Sequence, residues 1–308
     1  MKKILNGCIL ETIEITKENV FLIDENKYYI YNHKNQETIF TSNKIKDIST
    51  VLYNETKDAI LVINTTGCAT IYENDIPIFR FKTITDPTCS SVFSIGKEFF
   101  FIDRKNILKK VQDNRISTVL EMKNAIEKVF RIKDTVFLVE VLRHSAIDPL
   151  NVTSNVYVFP ILENDFVYKN YIFCDEGFID NIKSDFNSEN IAFLFDNPKG
   201  IGRRQEIQIF SISNFQKNEL IDIDEIEKEI CSKGRFVDYL SNVENGTIAL
   251  LWTDCFIIYD FINKMVVFKI SLENAANLIQ IKEDEFLIAT WEGLYNVKIQ
   301  SSKDLNKA

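Results

Sequence analysis

Short apolar runs, four to eight residues long and bounded by Asn, Asp, Gly or Lys, recur along the whole chain. Runs of this length that are rich in Ile, Val, Phe and Tyr are typical of β-strands. Several of them, including EFFFI, AILVI, IALLW and CFIIY, are nearly continuous in apolar residues. Because a strand with one solvated face alternates apolar and polar residues, these continuous runs predict strands that are buried on both faces.

One kind of turn follows a strand in each repeat. Four clear examples begin at Asp24, Asn64, Asp103 and Thr290, whose side chains can cap a turn, and the fourth residue is Gly, Asn or Lys. Gly and Asn suit a left-handed conformation, and Lys27 fits it least well. The equivalent strand ends fall at positions 24, 64, 103, 143, 196, 253 and 290. Their spacings are 40, 39, 40, 53, 57 and 37 residues.

Seven units of about forty residues, each with four strands, resemble the β-propeller repeat superfamily over essentially the whole chain. The segment TWEGLYNV, at residues 290–297, is similar to the Thr-x-x-Gly-Leu-Tyr hairpin of the two-component-regulator type of propeller repeat. The Gly-His and Trp-Asp dipeptides of WD40 repeats and the Gly-Gly of kelch repeats are absent. The resemblance implies an all-β, seven-bladed propeller of four-stranded antiparallel blades, with strands a to d numbered from the centre outward.

The repeats predict one domain over residues 1–308. The blades are expected at about 9–42, 45–85, 90–122, 126–175, 178–224, 235–273 and 277–300. The last blade has only three strands, whereas Lys2 to Asn6 at the other end is one strand too many. We therefore expect residues 2–6 to pair with the last blade and close the ring, because an unpaired edge strand is an energetic liability.

Composition and charge narrow the class of protein. A hydrophobic fraction of 45% supplies a large core, and a net charge of -9 argues against a general affinity for nucleic acid or anionic membranes. The first residues lack the apolar run and cleavage site of a signal peptide, and no stretch is apolar enough to span a membrane. The six cysteines are scattered without close pairs, which favours buried free thiols and a cytoplasmic protein over a disulfide framework or a metal cluster.

Three insertions are predicted on the propeller face that carries the b–c turns. They are the long b–c connections 143–154 and 196–205 and a short helix over 224–231. Long loops concentrate binding sites, and Arg and Trp often anchor protein interfaces. The candidate partner-binding residues are Arg143, His144, Lys199, Arg203, Arg204, Trp252 and Trp291. The alternative is that both Trp rings pack on neighbouring blades and the arginines only keep a loop in water.

Candidate catalytic chemistry is sparse. The chain has two histidines, His33 and His144, and no G-x-S-x-G, H-E-x-x-H or C-x-x-C motif. Four acids fall early in innermost strands, where converging carboxylates could hold Ca²⁺ or act as acid and base: Glu11, Asp47, Asp180 and Asp238. The alternative is that they line a water-filled channel or form hydrogen bonds between blades. No cofactor is predicted.

These observations favour a non-enzymatic protein-binding scaffold that uses the insertion-bearing face across blades 4 to 7. The alternative is a metal-assisted hydrolase or lyase that acts at the channel mouth on a small sugar- or lactone-like substrate.

Overall fold

The structure is a computed structural model that describes residues 1–15, 18–24, 26–84, 91–104, 106–143, 152–162, 165–166, 169–185, 189–197, 204–214, 216–242 and 246–299. Within these ranges the chain forms 29 β-strands and one α-helix. The strands belong to seven sheets, and neighbouring strands in each sheet follow one another in the chain except at the amino terminus and in the fourth sheet, where the eighteenth strand pairs with the sixteenth.

The chain begins with a strand, β1 (Lys2–Asn6), that belongs to the last sheet. The first three sheets then follow in order. They contain β2 (Glu11–Glu14), β3 (Asn19–Ile23), β4 (Tyr28–Asn32) and β5 (Glu37–Thr41); β6 (Ile48–Tyr53), β7 (Ile60–Asn64), β8 (Cys68–Glu73) and β9 (Ile76–Lys82); and β10 (Val92–Ile95), β11 (Glu98–Asp103), β12 (Ile107–Gln112) and β13 (Arg115–Glu121).

The fourth sheet has five strands, and the fifth and sixth are separated by the helix. They contain β14 (Ala125–Ile132), β15 (Thr135–Arg143), β16 (Val152–Leu162), β17 (Asp165–Phe166) and β18 (Lys169–Glu176); β19 (Phe178–Ser184), β20 (Asn190–Asn197), β21 (Arg204–Ser211) and β22 (Lys217–Asp222); α1 (Ile223–Ile230); and β23 (Phe236–Asn242), β24 (Thr247–Trp252), β25 (Cys255–Asp260) and β26 (Met265–Ser271). The last sheet has the order β1, β29 (Gly293–Lys298), β28 (Glu285–Thr290) and β27 (Ala275–Lys282).

These sheets are the blades of a seven-bladed β-propeller, as the repeats predict, with β1 as the fourth strand of the last blade. The structure differs from the predicted four strands per blade only slightly, in blade 4, where the extra strand β17 pairs with Ile161 and Leu162. It forms because β16 is 11 residues long and β18 pairs with it only as far as Val158. The second strands are buried almost throughout, as their continuous apolar sequences predict: β3, β7, β11 and β24 show no alternation of buried and exposed residues.

The chain divides into two compact units, of which unit 1 comprises residues 1–46, 183–192 and 225–308, and unit 2 comprises 47–182 and 193–224. That all residues form one domain stays a prediction. In unit 1, one apolar cluster joins blade 1 to blade 7 through side chains that include Leu22, Tyr31 and Leu287. A second cluster joins blade 6 to blade 7 through Phe256 and Phe286, whose ring centroids lie 5.3 Å apart.

Aromatic pairs lie within the apolar clusters of unit 2. Phe93 and Phe100 stack with their centroids 4.7 Å apart and their planes at 10°, in a cluster shared by blades 3 and 4. Phe81 packs on Phe101 at the same distance between blades 2 and 3. Full burial of such a side chain contributes about 1.5–3 kcal/mol, so contacts between blades supply much of the stability of each unit.

The amino-terminal strand completes the last blade. Lys2 pairs with Asn296, Lys3 with Tyr295 and Asn6 with Gly293 in the antiparallel register of β1 and β29. The pairing requires a glycine at position 293, because a Cβ atom there would lie 2.1 Å from the carbonyl oxygen of Leu5. The last strand of the repeat and the first strand of the chain are therefore fitted to each other.

We predict that deletion of residues 1–6 lowers the melting temperature strongly, because β29 would lose its outer partner.

The change Gly293→Ala should destabilise the protein by about 1–3 kcal/mol in urea denaturation, since the new methyl group overlaps backbone. A matched control is Gly7→Ala, which also has a positive φ but meets no atom within 4 Å. Equal losses for the two alanine variants, or an unchanged melt after the deletion, would contradict this account of the closure.

Candidate functional site

Each blade has one end at which its second and third strands join, and we call this end the bc end. The side chain of the first turn residue caps the turn in blades 1, 2 and 7, as predicted. In blade 1 the Oδ1 atom of Asp24 accepts hydrogen bonds from the backbone N–H groups of Asn26 at 2.7 Å and Lys27 at 2.6 Å. The left-handed fourth residue is confirmed at Gly67, with φ 77°, whereas in the third turn it is Arg104 that adopts this conformation.

The bc end of blade 7 displays Trp291, whose surface is 60% exposed. The turn beneath it is held by the buried Thr290, whose Oγ1 atom accepts hydrogen bonds from the N–H groups of Glu292 and Gly293, both at 3.1 Å. The N–H of Trp291 itself donates to the carbonyl of Asn274 at 3.1 Å. The backbone that carries this exposed ring is therefore fixed before any partner arrives.

A shallow cleft of about 430 Å³ lies at the bc end of blade 1, lined by Asp24, Asn26, Lys27, Tyr29 and Lys44. The carboxylate of Asp24 is already occupied, because it accepts the two turn N–H groups and the hydroxyl of Tyr29 at 2.8 Å. Burial, together with this hydrogen bond, raises the pKa of the Tyr29 hydroxyl. The groups left to meet a ligand are the amide of Asn26 and the two lysine ammonium groups.

Backbone hydrogen bonds connect the Trp291 turn to this cleft through residues 9 and 10. The N–H of Ile9 donates to the carbonyl of Thr290 at 3.0 Å, and the N–H of Leu10 donates to the carbonyl of Ile23 at 2.8 Å. Leu10 is 38% exposed, between the two turns. Trp291, Leu10 and the cleft are therefore neighbours within unit 1, and we call them the bc patch.

The two Trp residues of the sequence prediction have different environments. Trp252 is completely buried, edge-to-face against Phe236 with centroids 5.1 Å apart, and its Nε1–H points to Glu227 of α1 at 3.5 Å. Its packing matches the alternative that the sequence left open for the Trp rings, and a ring in this position is not accessible to a partner. Only Trp291 is available at the surface.

The predicted helix is confirmed as α1, with Ile226 and Ile230 buried. It ends where Cys231, with φ 53°, adopts the left-handed conformation. The long connections are mostly outside the described residues, and so are His144, Lys199 and Arg203. Arg143 is the last residue of β15 and Arg204 is the first of β21, so each stands where a long connection meets its blade.

Asp238 joins innermost strands of unit 1. It is 3% exposed, and its Oδ1 atom lies 2.5 Å from the Nζ of Lys183 on β19. Its Oδ2 atom accepts hydrogen bonds from the N–H of Leu278 at 2.9 Å and from the side chain of Asn277 at 3.2 Å, both on β27. This carboxylate ties three blades together, which is the structural alternative that the sequence analysis named.

The other three predicted acids occupy separate environments. Asp180 is exposed and lies 3.2 Å from the Nζ of Lys128. Asp47 is exposed in a left-handed conformation just before β6, and Glu11 is the half-buried first residue of β2. Among the described residues, no group of three or more His, Cys, Asp or Glu side chains has the arrangement needed to hold a metal ion.

The cysteines only partly match the expectation of buried thiols. Cys255 is buried, and burial raises its pKa to about 11, so it is a neutral thiol at physiological pH. The expectation is wrong for Cys68 and Cys231, which are exposed because each adjoins a turn or the end of α1. With eight residues, α1 is too short to cross a membrane, and it is the only α-helix in the described part of the chain.

The sequence patterns do not indicate Leu10 or the cleft residues as a site. Lys27 is the turn residue that fits the left-handed pattern least well, and in the structure it is not among the residues with a positive φ. Nothing in the turn pattern therefore marks its ammonium group as functional.

No protein-family model and no curated protein matches the sequence. Solved propeller structures are similar along nearly the full length: hydrazine synthase of Kuenenia stuttgartiensis, with TM-score 0.66 and 9% identity over 97% of both chains; BamB of Moraxella catarrhalis, with TM-score 0.60 and 9% identity over 94% of this chain and 96% of that one; and Hsv2 of Kluyveromyces lactis, with TM-score 0.58 and 12% identity over 97% and 95%. At these identities the similarity establishes the propeller fold alone.

We predict that Asp238→Ala destabilises the protein by about 3 kcal/mol in urea denaturation, because it leaves Lys183 without its buried partner and the N–H of Leu278 without an acceptor. Asp238→Asn should cost less, since an amide oxygen can still accept from Leu278. Added Ca²⁺ should leave the wild-type melting temperature unchanged. A Ca²⁺-dependent rise that Asp238→Asn abolishes would instead show that the carboxylate binds metal.

Proposed function

We propose that this protein is a non-enzymatic binding module that holds a protein partner at the bc ends of its blades. The single observation that carries the proposal is Trp291, which exposes 60% of its surface on a turn fixed by Thr290 and Asn274. Burying so large an apolar ring in a partner is strongly favourable, and Trp is among the residue types most enriched at the energetic centres of interfaces.

Rigid presentation is the proposed mechanism. A partner that binds a mobile loop must order it, at a cost of about 0.5–1.5 kcal/mol for each immobilised side chain. The turn of Trp291 is already held by Thr290 on one side and, through the N–H of Gly7 donating to the carbonyl of Glu292 at 3.2 Å, by the amino-terminal segment on the other. Little backbone ordering is left for the binding step.

The long connections of blades 4 and 5, 143–154 and 196–205, belong to the same proposal. Arg143, His144, Lys199, Arg203 and Arg204 would supply donors and cations there. The guanidinium groups in particular suit the carboxylates and carbonyls of a protein surface. Trp252 is left out because it is buried.

A metal-assisted hydrolase or lyase has less support. To hold a metal, Asp238 would have to give up an ion pair and the hydrogen bonds that join three blades, and Asp180 would have to leave Lys128. Both carboxylates already have a structural use that accounts for their positions.

The proposal includes a cytoplasmic location and no nucleic-acid partner. Cysteines without a disulfide at Cys68, Cys231 and Cys255 support the location, because secreted proteins more often pair their cysteines. The net charge of -9 supports the absence of a nucleic-acid partner, since a negatively charged protein surface repels phosphate backbones.

The proposal is tested by affinity capture from an extract of the native cells, read by mass spectrometry. The wild type should retain a protein that Trp291→Ala retains at least tenfold less, because the anchor is removed while the fold is unaffected. Ile262→Ala is the matched control, since Ile262 is 69% exposed in the turn between β25 and β26, away from the bc end. A protein that all three baits retain equally, or none at all, would refute Trp291 as an anchor.

The loop of blade 5 gives a separate prediction. When Arg203 and Arg204 are changed together to Ser, the bait should retain the captured partner several-fold less. Its melting temperature should stay the same. Lys264→Ser, in the turn at the other end of blade 6, controls for the loss of positive charge on an acidic protein. Unchanged binding of the double variant would remove this loop from the interface.

A further inference from the structure

The bc patch combines an apolar surface with a small positively charged cleft, and this combination specifies the chemistry of a ligand. Trp291 and Leu10 provide the apolar part, and Lys27 and Lys44 provide the charge. The protein as a whole carries a net charge of -9, and two of the five residues that line this cleft are lysines, against the one carboxylate of Asp24.

The cleft is organised toward an anion. Its one carboxylate, Asp24, is turned to the backbone N–H groups of its own turn and to the Tyr29 hydroxyl. Within the described part of the chain, neither Lys27 nor Lys44 has a carboxylate partner. The turn and the following connection are also fixed to each other, because the N–H of Ile45 donates to the carbonyl of Asn26 at 2.7 Å. Two cations and an amide thus face the cleft from backbone that is already ordered.

The separation of the two parts sets the spacing of groups on the ligand. Thr290 and Ile23 flank the segment of residues 9 and 10 on opposite sides, each joined to it by one backbone hydrogen bond. Two such steps of about 5 Å place the backbone of Thr290, which precedes the Trp291 turn, about 10 Å from the backbone of Ile23, which precedes the turn of Asp24. An extended peptide advances about 3.3 Å per residue, so about three residues span this distance.

From this geometry we infer that the bc patch binds an extended segment of a protein partner that sets an apolar side chain against Trp291 and an Asp or Glu side chain between Lys27 and Lys44, two to four residues apart. This inference rests on the proposed binding function and adds the chemistry of the partner. A peptide carboxylate accepts hydrogen bonds from both ammonium groups, and the apolar neighbour excludes water from the tryptophan ring.

The test is selection of a displayed library of random 12-residue peptides on the immobilised wild-type protein. The enriched peptides should share an aromatic or aliphatic residue and an acid at this spacing. Their synthetic versions should bind at least tenfold more weakly to Trp291→Ala and to the double variant Lys27→Ser and Lys44→Ser. Lys264→Ser, in the turn between β25 and β26, should bind as the wild type does, and unchanged melting temperatures exclude misfolding.

A charge-reversed protein gives an independent result. With both Lys27 and Lys44 changed to Glu, selection should yield peptides that carry Lys or Arg in place of the acid. Enrichment of peptides without the acid, or binding that the lysine changes do not alter, would overturn the inference. A third result would also overturn the inference: no peptide is enriched, but citrate raises the melting temperature of the wild type. The cleft would then be a site for a small carboxylate.

Failure of this inference is distinct from failure of the proposed function. If affinity capture finds a protein that depends on Trp291 but not on Lys27 and Lys44, the binding module stands and the acidic segment is refuted. If neither captured proteins nor selected peptides depend on Trp291, both are refuted.

Discussion

Residues 2–10 hydrogen bond to the last blade on one side and to the first on the other, and both the core of unit 1 and its candidate surface depend on this segment. The strand β1 pairs with β29, where only glycine fits at position 293 against the carbonyl of Leu5. Beyond β1, Gly7 and Ile9 donate to the Trp291 turn, and Leu10 donates to Ile23 of blade 1. An edge strand left unpaired would expose a row of N–H and C=O groups, so these bonds stabilise the last blade and prevent aggregation through it.

The same segment determines what the bc patch can do. A tryptophan exposed on a mobile loop would bind at a cost in the conformational entropy of that loop. The turn of Trp291 has little such entropy to lose, because it is hydrogen bonded to Thr290, to Asn274 and to the amino-terminal segment. The cleft next to it is rigid for a related reason, because Asp24 binds the backbone of its own turn. In both turns the capping side chain, Asp24 or Thr290, binds the N–H groups of its own turn. These polar groups are then not available to a ligand, which would meet the neighbouring side chains instead.

Acidic residues near the centre of the blades serve the fold. Asp238 is buried with Lys183 and accepts two hydrogen bonds from β27, and Glu140 in unit 2 is buried among the donors Asn124, Asn155 and Tyr157. A buried carboxylate without such partners would be strongly destabilising. With them, it joins neighbouring strands in a fixed register, which explains why polar residues lie at positions where an apolar core would otherwise continue.

The sequence by itself determined the number of blades, the strand ends near 24, 64, 103, 143, 196, 253 and 290, the helix after blade 5 and the completion of the last blade by residues 2–6. These features depend on local information, because apolar runs and capping residues act over a few positions in the chain. Only the tertiary structure decided that Trp252, the last residue of β24, is buried and that Trp291, in the turn after β28, is exposed. The physical reason is the position of α1, which brings Glu227 to the Trp252 ring, whereas the amino-terminal segment beside the Trp291 turn donates hydrogen bonds to the carbonyls of Thr290 and Glu292. The structure likewise decided that Asp238 joins blades and that Leu10 lies between Trp291 and the lysine cleft, since both depend on contacts between residues far apart in the sequence.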